Sequence, residues 1–456
     1  MNFQTEIEGL IRSSVSRIVG ELTDGVGQRS LSEIVEETQE TVNELGVQLI
    51  ERLYQEVDRL FDERRNKHKI VIKNCSKTRR LLTSMGEVKL RRKLYFDKQT
   101  ARYFFAVDEI LQLQKYERIE KNLQADLVSK ATLTSYGKAS ELAGRRVSRQ
   151  TVHNLVKRID TDAIAVPSCS PPLRTVGDIF IEADEDHIHL NTGKSAEVKL
   201  VYVHEGARPV CKGRAELINP RYFVSVDNEA DDLWADVADY LYSTYRCSQA
   251  AIHISGDGAN WIKGGLNFFP KASYHLDKFH VFKSVTGASF GNKRLRDNIV
   301  AALYEKDFET LRALYQNTYQ SKQKLSERKT VSEGLFYLEN NFDEIDLTPA
   351  HSCAAEGHVS HVLSARLSSR PMGWSIEGAD RIARLRAFYF NGGEFRALVY
   401  RDKNTKEKEV HYTMRARPNR KPSKVMPMSA HVVGLDGVTN GLSATIRAIL
   451  KRGTRR

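Results

Sequence analysis

The sequence predicts a mixed α/β protein whose sheet-bearing core follows a mainly α N-terminal region. Three observations carry this. Residues 1–70 place apolar side chains at helical spacing among charges. From residue 177 the pattern changes to short apolar runs bounded by turn residues. Those runs first meander and then alternate with helical segments, the order of a mixed sheet. At 456 residues the chain exceeds one ordinary core, so several units are expected.

The elements follow in order. In residues 1–70, TVNELGVQLIERLYQEVDRLFDERRNKHK sets Leu45, Leu49, Leu53 and Leu60 roughly on one face. This suits a helical arm or a dimerisation segment, and the basic end RRNKHK suits phosphates. Residues 71–160 form a basic region of two parts. RRLLTSMGEVKLRRKLYFDKQTARYFFAV reads as a β-hairpin, with strands around Val88, Leu90 and residues 93–95 and a turn at DKQT. A ribbon carrying Arg91, Arg92 and Lys93 suits DNA, and equally suits plain solvent exposure. SYGKASELAGRRVSRQTVHNLVKRI reads as a short helix ending near Gly144, then a second helix capped by Ser148, with Val152, Leu155, Val156 and Ile159 inward. That is a helix-turn-helix pattern, with Arg149, Gln150, His153 and Asn154 on the outer face for phosphates and base edges. Many helical hairpins share the pattern without binding DNA.

Residues 161–176 hold three of the eleven prolines and read as a linker. In 177–284, IFIEAD is one strand and HIHLNTGKSAEVKLVYVHEG the next two. DLWADVADYLYSTY is a helix, AAIHISGD a strand, WIKGGLNFF a helix and KASYHLDKFH a strand entering another helix. Residues 285–350 are a helical insertion, too long for a loop. Residues 351–400 return to helix, broken at Pro371, and 401–456 form a basic tail.

Lys and Arg number 70 against 58 Asp and Glu, a net charge of +12. A basic chain of this size points to a polyanion, most simply nucleic acid, although ribosomal or membrane-surface binding carries the same sign. Cys75, Cys169, Cys211, Cys247 and Cys353 are scattered without a CxxC. This argues against a disulfide framework or a cysteine zinc site and fits a reducing cytosol. The start has no signal-peptide layout, and no apolar stretch reaches the roughly 18 residues of a membrane span.

Three acids stand out by context. Asp184 ends the first apolar run, Asp257 ends another before Gly258, and Glu356 opens a helix. Two aspartates at neighbouring strand ends and a carboxylate from an adjoining helix offer hard oxygen donors to Mg²⁺ or Mn²⁺. Such a centre activates a water or 3′-OH in phosphoryl transfer. Acids at strand ends are also commonly just solvated. Within IFIEADEDHIHL, alternation puts Glu182, Asp184 and Asp186 on one face and Glu185 on the other, leaving Asp186 as the competitor to Asp184. Arg366 and Arg370 would bind phosphate or pair with Glu356. His187 and His189 flank the acids, and Trp261 and Trp374 suit base stacking or, more simply, packing.

The segments IEADEDHIHL, GDGANWI, FPKASYHLDKFHVFK and CAAEGHVSHVLSARLSSRPMGWSIEGADRIARLRA together resemble DDE-type transposases of bacterial insertion sequences. The group is the ISLre type, with Mutator-like relatives, and the likeness extends over almost the whole chain. In that family the first Asp matches Asp184 and a D-G-A-x-W-I segment matches Asp257 and Trp261. A C/D-x-x-H motif matches Asp277 and His280, and a small-residue stretch before the Glu matches Ser352, Cys353 and Glu356. Arg366 and Trp374 follow. Cys353 stands for the usual Gly, Glu185 for the Gly after the first Asp, and the tail reads P-M-G-W.

The resemblance implies an RNase H-like catalytic core interrupted by the helical insertion. It implies metals held by Asp184, Asp257 and Glu356, with His280 at the active site. It further implies DNA partners (terminal inverted repeats and target DNA), a homodimer or higher oligomer on DNA, and a bacterial cytoplasmic, nucleoid-associated location. The expected activity is metal-dependent strand cleavage and strand transfer. The alternatives are a silent transposase-derived DNA-binding protein and an RNase H-like nuclease or resolvase.

Overall fold

A computed structural model describes residues 3–23, 29–162, 164, 173–212, 214–226, 230–347 and 353–400. The expected 401–456 tail and Ser352 therefore lie outside the described residues. Contacts divide the chain into two compact units, one up to Asp126 and one from Leu127.

The first unit opens with helices α1 (Phe3–Thr23) and α2 (Leu31–Arg64). Ser30 and Glu33 form a reciprocal capping box that fixes the start of α2. The buried face of α2 carries Tyr54, Asp58 and Phe61, with Val47, Ile50 and Val57 beside them. Leu53, on the apolar stripe read from the sequence, is exposed. One residue, about 100° around the helix, separates the two stripes, and the aromatic rings take the core because they bury more area. An antiparallel sheet follows: β1 (Ile70–Leu82), β2 (Glu87–Asp97) and β3 (Arg102–Phe104), then helix α3 (Ala106–Ile110). The DKQT turn joins β2 to β3, and the hairpin turn proper is the segment between Leu82 and Glu87.

Helix α4 (Lys121–Leu133) leads into α5 (Tyr136–Leu142) and α6 (Arg149–Arg158). Ser148 caps α6, its hydroxyl accepting from the Thr151 amide at 3.1 Å, an interaction of about 1 kcal/mol. Val152, Leu155, Val156 and Ile159 are buried, as the spacing predicts.

The second unit is built on a five-stranded mixed sheet of β4 (Asp178–His189), β5 (Ser195–His204), β8 (Arg221–Val226), β9 (Ala251–Gly256) and β10 (Ser273–Leu276). Strands β6 (Ala207–Cys211) and β7 (Arg214–Leu217) form a separate hairpin. The order is β10-β9-β4-β5-β8. β5 runs antiparallel to both β4 and β8, while β9 is parallel to β4 and β10 parallel to β9. The chain is therefore a mixed α/β protein.

One strand differs from expectation. β4 does not end at Asp184 but continues to His189, because β5 pairs with it along its whole length. β9 pairs only as far as Glu182. Asp184 thus sits where its parallel neighbour stops, inside a strand rather than at its end.

Helix α7 (Ala230–Thr244) and the short α8 (Asn260–Lys263) cover one face, where Ile179, Ile181, Ala183, Val201, Trp234 and Ile254 form the core. Each large apolar side chain buried there contributes about 2 kcal/mol, which offsets the cost of burying acids on the other face. That other face meets α13 (Ala355–Val359) and α15 (Ile376–Phe390). Between the two helices lie a π turn at Ser360–Ser364 and the short α14 (Ala365–Leu367); α16 (Phe395–Tyr400) closes the described chain. Helices α9 (Lys278–Ser289), α10 (Lys293–Tyr304), α11 (Phe308–Ser321) and α12 (Leu325–Asn340) assemble around a core of their own that includes Val285, Ile299, Leu311, Tyr315, Val331 and Leu338. This packing begins at Lys278, ahead of residue 285.

Candidate metal centre

The acids of β4 part as strand alternation requires. Glu185 lies on the α7 side and accepts from the Trp261 indole N–H at 2.5 Å. On the opposite face each of the other three meets a different fate.

Glu182 is buried and fully engaged. The Tyr202 hydroxyl donates to it, His204 Nε2 lies 3.1 Å away, and the Ala354 amide donates at 2.7 Å. Burial alone would raise its pKa, but these partners outweigh it and hold the carboxyl below its usual range. Because Ala354 immediately precedes α13, Glu182 ties β4 to the start of the helix that bears Glu356. Asp186 is held by the Ser368 hydroxyl at 2.7 Å.

Asp184 is different. Its Oδ1 accepts the Glu185 amide at 2.8 Å, while Oδ2 is buried with no hydrogen-bond partner among the described residues. Its pKa is pushed up to about 7, first by burial and then by the carboxylates of Asp257, Glu356 and Glu185.

The strand-to-helix junction after β10 supplies the next donor. Asp277 caps α9, accepting from the Phe279 amide at 2.9 Å. His280 projects from the first turn, and its Nε2 is also buried without a hydrogen-bond partner, 3.9 Å from Asp277 Oδ2. Glu356, on α13, is exposed. Donor atoms of Asp184, His280 and Glu356 all lie within 4.8 Å of one another. Two carboxylates and an imidazole, two of them with an orphaned buried atom, are a donor set that fits a divalent cation.

Asp257, expected as the second carboxylate, is not in this close group. It follows β9 directly, and its Oδ1 accepts the Ala259 amide at 2.9 Å, while its charge still helps to raise the pKa of Asp184. The turn after it requires glycine: Gly258 has φ +97°, and a Cβ there would lie 2.4 Å from Asn341 Oδ1. Gly256 is needed for a different reason, since a Cβ would press to 2.7 Å from Ile262 and 3.0 Å from the Ala183 carbonyl.

Several expected DNA contacts are turned inward. Arg366 is only 3% exposed; its guanidinium donates to the Ala131 carbonyl at 3.1 Å and packs 4.9 Å from the Trp374 ring centre. It makes no pair with Glu356, which lies ten residues back, about 15 Å along a helix at 1.5 Å per residue, and α14 stops at Leu367. Arg370 follows that end and is exposed. Arg92 pairs with Asp108 and lies 3.7 Å over the Phe105 ring, and Lys93 pairs with Asp62 at 2.7 Å. Arg91 is exposed.

On α6, Arg149, Gln150 and Asn154 are exposed, while His153 is half-buried with its ring 5.3 Å from that of Tyr136. Trp374 is buried and donates to the Leu367 carbonyl at 2.9 Å. His187 and His189 are exposed. Sequence reasoning did not find the partners of Glu182; the one signal was an acid placed too deep in a strand to be solvated.

The fold and centre define a mixed α/β protein with a carboxylate–histidine cluster at the end of a parallel strand pair. Residues 26–404 match the family described as Uncharacterised protein family (UPF0236), and the chain belongs to that family. It is 36% identical over 378 residues to a UPF0236 protein of Caldanaerobacter subterraneus subsp. tengcongensis, covering 81% of this chain and 80% of the relative. The name of that relative joins eleven locus numbers. Another UPF0236 protein of the same organism is 35% identical over 378 residues, covering 81% of each chain. A UPF0236 protein of Streptococcus gallolyticus, named for the vanSb 3′ region, is 25% identical over 338 residues, covering 69% of this chain and 73% of its own. Among the described residues no helix is long and apolar enough to cross a membrane.

Proposed function

We propose that the chain is a DDE-type transposase, cutting and rejoining DNA by metal-dependent phosphoryl transfer on an RNase H-like core. The observation that carries this reading is the pair of orphaned buried atoms, Asp184 Oδ2 and His280 Nε2, gathered with Glu356 within 4.8 Å. A buried acid crowded by other acids is costly unless a cation joins it. Mg²⁺ or Mn²⁺ bound there would supply a Lewis acid for a water or 3′-OH and for the leaving oxygen. The imidazole favours Mn²⁺ over Mg²⁺ in such a set.

The protein's own groups divide the remaining work. Asp184 and Glu356 supply negative donors from a strand and a helix. Glu182 holds the two elements in register through the Ala354 amide. Asp257 adds negative charge beside the cluster. Arg149, Gln150 and Asn154 on α6 are exposed for phosphates and base edges of the element ends. The meander followed by alternating helix and strand is compatible with the RNase H-like core that the resemblance implies. A relative whose single name joins eleven locus numbers fits a gene that multiplies within a genome. Joining two ends calls for a homodimer or larger assembly on DNA, which accords with the basic charge and places the enzyme at the nucleoid.

The test is a cleavage and strand-transfer assay on DNA bearing the repeats that flank the gene, with Mg²⁺ or Mn²⁺. Wild type is expected to nick at the repeat ends and Asp184→Ala to bind without cutting. Binding without cutting by wild type would leave a silent DNA-binding protein. Equal cutting of DNA lacking the repeats would point to a nuclease or resolvase.

A further inference from the structure

One helix face beside the centre is used by none of this. Phe279, Phe282, Lys283, Thr286 and Phe290 recur at helical spacing along α9 and its C-cap, and all five are exposed. The opposite side, with Val281, Val285, Ala288 and Ser289, is buried. Phe279 and Phe282 are 48% and 39% exposed, although an ordinary helix in such a position would show polar groups to solvent. The stripe starts at the centre itself, for the Phe279 ring stands edge-on 5.4 Å from the ring of His280. It then runs about 16 Å along the helix, at 1.5 Å per residue, to Phe290. Phe290 is capped by Lys322 at 3.7 Å, and Lys283 leans toward Phe279 at 5.8 Å.

Charge identifies the occupant. The segment KFHVFKSVTGASFGNKRLR, residues 278–296, contains Lys278, Lys283, Lys293, Arg294 and Arg296 and no Asp or Glu. Lys283, Lys293 and Arg294 are exposed. Exposed rings interleaved with cations suit a polymer that alternates flat apolar faces with anions, which is an unpaired nucleic-acid strand. A duplex buries its base faces and gains nothing from exposed rings, and a protein helix seated on the stripe would have to supply acids to match these cations.

We propose that the exposed face of α9 is a stacking platform for an unpaired DNA strand. Phe279 and Phe282 stack on its bases, and Lys283, Lys293 and Arg294 take its phosphates. The strand then enters the Asp184–His280–Glu356 centre from the α9 side, already separated from its complement. This rests on the DNA reading above and adds the state of the substrate to it.

The experiment measures binding of a labelled oligothymidine, and of a duplex of equal length, to the full chain with divalent ions chelated. Phe279→Ala/Phe282→Ala is expected to weaken the single strand by about tenfold to a hundredfold and leave the duplex within about twofold. Phe279→Trp/Phe282→Trp should retain the single strand. Phe279→Leu/Phe282→Leu keeps apolar area without rings and should lose it.

Unchanged single-strand binding by the Ala pair, with duplex binding intact, overturns the platform and leaves the DNA reading standing. Wild type that binds neither nucleic acid overturns both. A Leu pair that binds as well as wild type overturns stacking. Light scattering supplies the last arm: an Ala pair that changes the oligomer and not the single-strand affinity makes the face an interface between copies.

Discussion

Asp108 in the first unit and Asp184 in the second are buried alike, 8% and 6% exposed, in opposite surroundings. Asp108 receives the Tyr54 hydroxyl, the Arg79 guanidinium at 3.1 Å and the Arg92 guanidinium. Asp184 receives one backbone amide, and the charges around it are the acids Asp257, Glu356 and Glu185. A buried carboxylate costs several kcal/mol unless it is neutralised. The first unit carries its neutralising groups in its own sequence. The second leaves an oxygen and an imidazole nitrogen without a hydrogen-bond partner among the described residues, the opening that a proton or, on the proposed reading, a cation would fill. The difference separates a scaffold acid from a site acid more sharply than burial or residue type does.

The comparison yields its largest effect at Asp184. Asp184→Asn is expected to lower repeat-end cleavage roughly a thousandfold, the loss of several kcal/mol of charge stabilisation. The metal-free fold should meanwhile gain about 2 kcal/mol at pH 8, because a desolvated charge is removed. Cleavage kinetics and urea unfolding of the same preparation check both, and destabilisation without loss of cutting would erase the distinction.

Asp108→Ala should do the reverse. It strands two guanidinium groups, costs about 3–5 kcal/mol in urea unfolding, and leaves calorimetric Mn²⁺ affinity unchanged. Glu182→Gln keeps the shape but removes the charge that gathers Tyr202, His204 and the Ala354 amide. Mn²⁺ binding should weaken about tenfold to a hundredfold, visible as a smaller metal-induced rise in Tm.

The smallest effect is in pH. The folded pKa of Asp184 lies above its unfolded value, so the folded state keeps a proton that the unfolded state has lost. Its contribution to metal-free stability is therefore present at low pH and lost as pH rises toward about 7. The stability gap between wild type and Asp184→Asn should open across that interval and then level off. Mn²⁺, which takes the deprotonated form, should raise Tm more at pH 8 than at pH 5.5.

What was legible in the sequence was local. The Ser148 cap, the inward Val152, Leu155 and Val156, the strands ending at Asp257 and Asp277, and the helix opening at Glu356 all follow from spacing and caps within about a dozen residues. What escaped depended on partners far along the chain. β4 reads as broken at its acids until β5 is set beside it, and the edge strand β8 and the β6–β7 hairpin went unread. Arg92 and Arg366 look like phosphate ligands by charge, and only packing against Phe105 and Trp374 turns them into core groups. The close grouping of Asp184 with His280, ahead of Asp257, is a matter of ångströms that spacing does not encode.

Helices α9–α12 come from one unbroken stretch of chain, whereas the centre draws on β4, α9 and α13. The parallel pairing of β4 with β9 closes a loop of about 70 residues, and Glu356 and the Ala354 amide arrive later still. In the order of synthesis the acids of β4 emerge first, the helical cluster can condense on local contacts, and the centre forms only after α13 has joined the sheet. A chain stopped short of that helix has neither Glu356 nor the amide that holds Glu182. An unfinished chain thus holds the pieces of the Asp184–His280–Glu356 cluster but not the cluster.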